Sequence, residues 1–302
     1  NRMAMPMYIV SIVCVVMVVA TPLGIERNGA KRWLGYGIFS FQPAEFVKFT
    51  VIVLTASLLS KCSQKALKDY RNIWRVYSYT IVATLSIMVL TSNLSSAIII
   101  ATIPAIMILV VGVPKKFVKQ AIFLVALAAI PMGAYLTLHG DGFRLNRISV
   151  WLNPEDNAAD GGFQVLQGLY AIGSGGLFGK GLGNSAQKMI IPEVQNDMIL
   201  SAICEELGVF GAIMVLILFG MLLYRLLFIA QNAPDLFGSL MVSGIFIHIA
   251  LQVILNVMVV INCIPTTGIT LPFISYGGTS VLFLMAEMGL ALGVSARIKI
   301  AE

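Results

Sequence analysis

The stretch ILSAICEELGVFGAIMVLILFGMLLYRLLFI, residues 199–229, decides the fold class. Between Glu206 and Arg225 it carries no charged side chain. About 20 such residues cross the roughly 30 Å hydrocarbon core of a bilayer as a helix. The whole stretch is long enough to project beyond a membrane or to tilt within it. Seven further runs are mostly apolar and of about spanning length: residues 3–21, 41–60, 73–90, 95–113, 117–138, 236–261 and 278–294. The expected fold is therefore an all-α, polytopic transmembrane helix bundle of eight spans.

Composition agrees. Of 302 residues 58% are hydrophobic and 11% charged, and mean hydropathy is +0.91. A soluble domain carries about 25% charged residues to coat its surface, so the outer solvent of this chain must be lipid. The formal charge of +6 is no nucleic-acid signal, because the cations sit in short connections between apolar runs. Lys61, Lys65, Lys68, Arg71 and Arg75 follow the second span. Lys115, Lys116 and Lys119 follow the fourth, Arg225 closes the sixth, and Arg297 and Lys299 follow the eighth. These connections alternate to one side, which the positive-inside rule makes cytoplasmic, the C-terminus included. Cys14, Cys62, Cys204 and Cys263 show no metal or redox spacing and read as packing residues. The chain opens on Asn1 directly before an apolar run, which suggests a fragment whose N-terminal part precedes it.

Three connections face outward. Residues 22–42 carry Arg27, Lys31 and Arg32 against the positive-inside rule, residues 139–198 form the longest connection, and residues 262–278 are rich in Pro, Gly and Thr. Outer cations point to a bound anion or to snorkelling at the interface. In the long loop, GSGGLFGKGLG at 173–183 is not a phosphate loop: Ser174 and Gly181 break the spacing and no strand precedes it. Its glycines permit either backbone approach to a lipid head group or a re-entrant turn. FQVLQGLYAI at 163–172 suits a short interfacial helix or a packed loop helix.

PEVQND at 192–197 sets Glu193 and Asp197 at the outer end of the sixth span. Asp197 there is either a helix cap that complements the dipole or a general base at the membrane surface. Glu205 and Glu206 lie two turns on, one facing the bundle and the other the head-group region. Lys48 stands three residues after Glu45, close enough on a helix to pair. His248, Gln252 and Asn256 share one face of the seventh span, the pattern of helix–helix glue, and Glu287 is a further ionisable group inside the eighth. No zinc spacing and no Ser or Cys nucleophile with its base is visible. The residues describe a polar, partly basic cavity open to the outside with a carboxylate at its rim, and leave its substrate open.

These segments resemble the SEDS family (shape, elongation, division and sporulation). The matching pieces are NGAKRWL at 28–34, FQPAEFVK at 41–48, GGFQVLQGLYAIGSGGLFGKGLGNS at 161–185, PEVQND at 192–197, EELG at 205–208 and PTTGITLPFISYGG at 265–278. They run in order across essentially the whole chain, which the resemblance makes one integral membrane domain, 1–302, with 139–198 as its large extracytoplasmic loop. The family has ten spans, so eight imply that the first two are missing here. What the resemblance implies is a peptidoglycan glycosyltransferase in the bacterial cytoplasmic membrane that polymerises lipid II on the outer face. Asp197 would be its catalytic base in an inverting displacement. Arg32, Lys48, Glu45, Gln164, Gln167, Lys180, Glu193, Glu205 and Ser275 would bind substrate. Arg32, Lys48 and a divalent cation, Mg or Mn with no ligands assigned, are candidates to neutralise the leaving pyrophosphate.

The implied partners are a class B penicillin-binding protein transpeptidase and a division or elongation complex. Two departures stand out. TSNLSSA at 91–97 replaces the family's QPDxGTA, so no charge-based role passes to Asn93, and NPE at 153–155 replaces NPW. The threonine in TGITLP favours the FtsW branch over RodA. A lipid II flippase and a non-catalytic scaffold for a transpeptidase are the competing readings. The depth and orientation of His248 and Glu287 separate a transport path from a catalytic cavity.

Overall fold

The computed structural model describes residues 2–27, 29–36, 39–62, 69–112, 116–120, 142–158 and 162–298. In chain order the elements are α1 (Ala4–Ala20), β1 (Gly24–Arg27), β2 (Ala30–Tyr36), β3 (Phe39–Phe41), α2 (Pro43–Lys61), α3 (Tyr70–Leu90) and α4 (Leu94–Val110). They continue with α5 (Gly142–Leu152), α6 (Phe163–Gly175), a 3₁₀ turn (Gln187–Met189), α7 (Ile199–Gln231), α8 (Leu236–Val260) and α9 (Gly278–Ser295).

Seven of the eight expected spans are helices at the expected places. Among the described residues α2, α3, α7, α8 and α9 are long and apolar enough to cross a membrane. The helices α1 and α4 are slightly shorter, 17 residues each, at the lower end of spanning length. The expected fifth span, 117–138, lies outside the described residues beyond Gln120.

The chain groups into two compact units. One comprises residues 1–118, 223–251 and 277–302, and the other 119–222 and 252–276. In the first, α2 is the central helix: 83% of its span is buried. Pro43 starts it where a missing N–H costs nothing. Helix α1 packs on α2 through a Ser11 Oγ to Thr50 Oγ1 bond of 2.9 Å, and on α3 through Tyr8 Oη donating to the Tyr79 carbonyl at 2.7 Å. Gly244 of α8 lets Ile52 of α2 and Met107 of α4 approach closer than any Cβ would allow.

One departure from an all-helical chain is the 22–42 connection, which contains a three-stranded antiparallel sheet in the order β1-β2-β3. Gly24 pairs with Leu34 and Ile25 with Trp33, while Leu34 also pairs with Phe41. The sheet returns the chain to Pro43 and displays Arg32 from β2.

In the second unit α7 is one continuous apolar run but not one straight helix. Gly208 has φ 71° and ψ −174°, which breaks it into a short N-terminal segment and a long apolar one. The length expected to project or tilt is thus divided by a break.

Candidate functional site

Asp197 lies in the second unit, in the turn before α7. The helix begins at Ile199, so Asp197 stands outside the cap position. Its carboxylate is half-buried and accepts from Gln164 Nε2 of α6 at 3.1 Å and from its own amide. Gln164 also donates to the Pro192 carbonyl at 3.3 Å, which fixes the amide between the two acceptors. Behind the carboxylate, Asn256 of α8 donates to the Asp197 carbonyl at 2.8 Å and to the Ile269 carbonyl at 2.9 Å.

The loop after α8 completes the frame. Ser275 Oγ donates to the Asn196 carbonyl and accepts from the Leu271 amide at 2.8 Å, and the Tyr276 amide donates to the Gln195 carbonyl at 2.8 Å. Helix α5 is tied to the same loop: Arg147 donates to the Thr266 carbonyl at 3.0 Å and Trp151 Nε1 to the Asn262 carbonyl at 3.0 Å.

Burial pushes the Asp197 carboxyl above the usual carboxylate range. Bonds from its own amide and from Gln164, together with the Arg147 guanidinium, pull it partly back, and the charge of Glu193 adds to the rise. Such a carboxylate is a better proton acceptor than a solvated one, which is what a general base requires. Glu193 itself is exposed, adopts φ 54° and accepts from Asn196 Nδ2. Gln167 is half-buried on α6 one turn beyond Gln164; the hydrogen bonds of the described residues bring Gln164, not Gln167, to Asp197.

Lys180 and Glu205 meet each other rather than an open cavity. Glu205 is 0% exposed and accepts from Lys180 Nζ at 2.7 Å, the Gln187 amide at 3.1 Å, Ser174 Oγ at 3.4 Å and Ser185 Oγ. These groups fasten the glycine-rich loop to α7. Glu206 is more exposed and pairs with Lys188 at 3.0 Å, so the two glutamates do divide as their spacing suggested. Ser275 likewise is buried and holds backbone, not open solvent.

The expected cations of the first unit have partners too. Lys48 pairs with Glu45 at 2.8 Å across i,i+3, with side chains 2% and 11% exposed. Arg32 donates to the Thr91 carbonyl at 3.3 Å and the Ser92 carbonyl at 3.1 Å. Asn93 caps α4 by accepting from the Ser96 amide at 3.1 Å. Asn is as good a cap as Asp, so this side chain fills a structural role without a charge. His248 Nδ1 meets both oxygens of Glu287 at 3.0 Å, with both residues buried. His248 is the middle residue of α8, so this pair lies at mid-span. Cys263 is exposed, against the packing role expected of it, and the four cysteines are free.

Among the described residues no three His, Cys, Asp or Glu side chains come together as metal ligands. The site therefore does not fit a divalent cation held by protein side chains alone.

Sequence reasoning did not single out Arg147, because α5 has no motif and its link to Asp197 is purely spatial. Asn256 was legible as a polar residue on a stripe, but not as the donor to Asp197.

The profile of the FtsW/RodA/SpoVE family, described as cell cycle protein, matches residues 1–300. Stage V sporulation protein E of Bacillus subtilis is 39% identical over 282 residues, spanning 93% of this chain and 75% of that protein. A probable peptidoglycan glycosyltransferase FtsW of Trichlorobacter lovleyi is 35% identical over 302 residues, spanning 100% and 78%. Among solved structures, a chain of a peptidoglycan synthase complex that coordinates polymerization and crosslinking superposes with TM-score 0.77. It is 25% identical, with 99% of this chain and 82% of that one covered. The rod shape determining protein RodA of Thermus thermophilus superposes with TM-score 0.67 at 27% identity, covering 99% and 80%. The ordered motifs, the helical architecture and these matches agree: the chain is a multi-pass membrane protein of the FtsW/RodA/SpoVE (SEDS) family.

Proposed function

We propose that this chain is a peptidoglycan glycosyltransferase that polymerises lipid II at the outer face of the cytoplasmic membrane, with Asp197 as its general base. The observation that carries the reading is the Asp197 carboxylate, partly desolvated in the turn before α7, which accepts from Gln164 and its own amide while Asn256 fixes the backbone carbonyl of the same residue.

In the reaction a sugar hydroxyl of the acceptor attacks the anomeric carbon of the donor. The hydroxyl proton passes to Asp197, the new glycosidic C–O bond forms, and the bond from the anomeric carbon to the pyrophosphate oxygen breaks. The leaving group departs as lipid-linked pyrophosphate with the electron pair, and configuration inverts. A departing pyrophosphate needs cationic partners, the role that the family resemblance gives to Arg32 and Lys48. Lys48 is shut in by Glu45, so Arg32 is the more accessible of the two. A divalent cation would come with the substrate phosphates rather than reside on side chains, and no step above depends on it.

The orientation follows from loop charge. Reporters fused after Lys65 or Lys116 should face the cytoplasm and reporters near Asn157 the outside; a cytoplasmic signal at Asn157 would put the site on the wrong face. A class B penicillin-binding protein is the proposed partner, in a division complex on the FtsW branch.

A flippase would need its mid-span polar groups to line a path. His248 and Glu287 are instead sealed and bonded to each other, as helix glue is. The test is glycan formation by the purified chain with its transpeptidase and lipid II. Polymer supports the reading, and its absence with a folded chain overturns it.

A further inference from the structure

We propose that the glycine-rich loop, residues 176–190, is a membrane-interface anchor whose apolar side chains sit among the acyl chains of the outer leaflet. The inference is independent of the role given to Asp197 and uses the proposed orientation only to name the leaflet.

Three observations in one compact unit carry it. The first is how the loop is attached. Where Gly208 breaks α7, helical hydrogen bonds are lost, and the loop backbone replaces them. Lys180 and Gly181 amides donate to the Glu205 and Glu206 carbonyls at 2.9 Å each. The Val209 and Phe210 amides donate to the Gly176 and Leu177 carbonyls at 3.0 and 3.1 Å. The fit is tight enough that a Cβ on Gly179 would lie 2.2 Å from the Glu206 carbonyl oxygen, and one on Gly208 would lie 2.3 Å from that of Leu177. The loop is thus fixed at the level where α7 resumes as a membrane span.

The second is what the loop displays. Leu177, Phe178, Leu182 and Met189 are 69, 80, 77 and 85% exposed. Side chains of this size and apolarity are not left in water as a cluster. They continue the exposed apolar stripe of α7: the Phe178 ring lies 6.4 Å from that of Phe210, and Phe210 and Leu218 belong to the stripe. A span that α7 turns to lipid, with 11% of its length buried, therefore has its lipid-facing surface extended by the loop.

The third is charge. Lys180 and Lys188 are engaged by Glu205 and Glu206 at 2.7 and 3.0 Å, so the loop turns no uncompensated charge outward. That favours acyl chains over an anionic head group as the occupant. The ammonium groups turn inward to these carboxylates, which leaves the apolar side chains as the exposed face of the loop. The anchor would set the height of residues 191–197, which follow it directly, relative to the head groups.

The test is spin labelling of the full chain in phospholipid nanodiscs. Cys14, Cys62, Cys204 and Cys263 are replaced by Ala, and single cysteines are introduced as Phe178→Cys and Leu182→Cys. Leu218→Cys serves as the lipid control and Asp156→Cys as the water control. Labels at 178 and 182 should collide with oxygen more than with a water-soluble nickel chelate, as at 218. Collision dominated by the nickel chelate, as at 156, overturns the proposal. So does shielding from both reagents, which would mean that protein covers the patch. As a measurement that needs no substitution, a phosphatidylcholine with a diazirine near its acyl-chain carbonyl should photolabel 177–189 in the unmodified chain. Labelling confined to the spans would also overturn it.

Discussion

Asp197→Asn separates a base from a structural carboxylate with little disturbance of the fold. Asn presents an oxygen where Asp197 Oδ1 now accepts the 3.1 Å bond from Gln164, and the Asn256 bond goes to the backbone carbonyl, which the substitution leaves alone. A positioned general base contributes about 10²–10⁴-fold to rate, or roughly 3–5 kcal/mol of barrier. Glycan polymerisation should fall by about that factor. Stability should move the other way or not at all. Burial holds the native carboxyl above its unfolded value. Between those two values the folded chain binds a proton that the unfolded chain has released. Stability is therefore lost as pH rises through that window, and at neutral pH the ionised Asp197 is a net cost that Asn removes. The assay is polymer formation from lipid II by a variant shown to be folded by its thermal transition in detergent. Near-normal polymer from that variant would refute the assignment and return Asp197 to a structural role, with Glu193 the next carboxylate to test. In the unmodified chain the same raised pKa places the acid limb of the rate profile above the ordinary carboxylate range, with activity lost as pH falls through it.

The hydrogen bond from Gln164 favours the ionised form of Asp197, so Gln164→Leu should move that acid limb to higher pH; an unmoved limb would separate Gln164 from the base. Lys48→Met leaves Glu45 buried and unpaired, which costs about 3–5 kcal/mol. Adding Glu45→Gln should recover the thermal transition but not the turnover, and recovery of both would make the pair structural only. Glu205→Ala deprives the Ser185 hydroxyl and the Gln187 amide of their acceptor, at about 1–3 kcal/mol for each group left unsatisfied. Hydrogen exchange should then quicken in 176–188 while 210–222 stays protected, and unchanged exchange in the loop would show that Glu205 does not fasten it.

The spans were legible because one-dimensional hydropathy is all a lipid-facing helix needs. The apolar runs at 73–90 and 236–261 end within a few residues of α3 and α8. The sheet within 22–42 was missed because strands of three to seven residues are too short to carry such a signal. The Asn28–Gly29 pair, a hairpin turn sequence, was the available clue. The break in α7 was hidden inside an apolar run, where one glycine looks like any other; what needs Gly208 is the loop backbone docked against it. For the site, the position of Asp197 and the pairing of Lys48 with Glu45 were readable from spacing. The pairing of Lys180 with Glu205 was not legible because their encounter spans 25 residues of sequence. Arg147 had no local pattern at all.

Whether this chain itself makes the glycosidic bond is tested in proteoliposomes. The purified chain and a class B transpeptidase blocked at its own active serine are reconstituted together. Lipid II is then supplied to one leaflet only, and both glycan polymer and transbilayer movement of a labelled substrate are followed. Polymer should form from lipid II on the face that carries Asp197, with none from the opposite leaflet and none with Asp197→Asn. Movement of lipid II across the bilayer without polymer, in a folded chain, would contradict it.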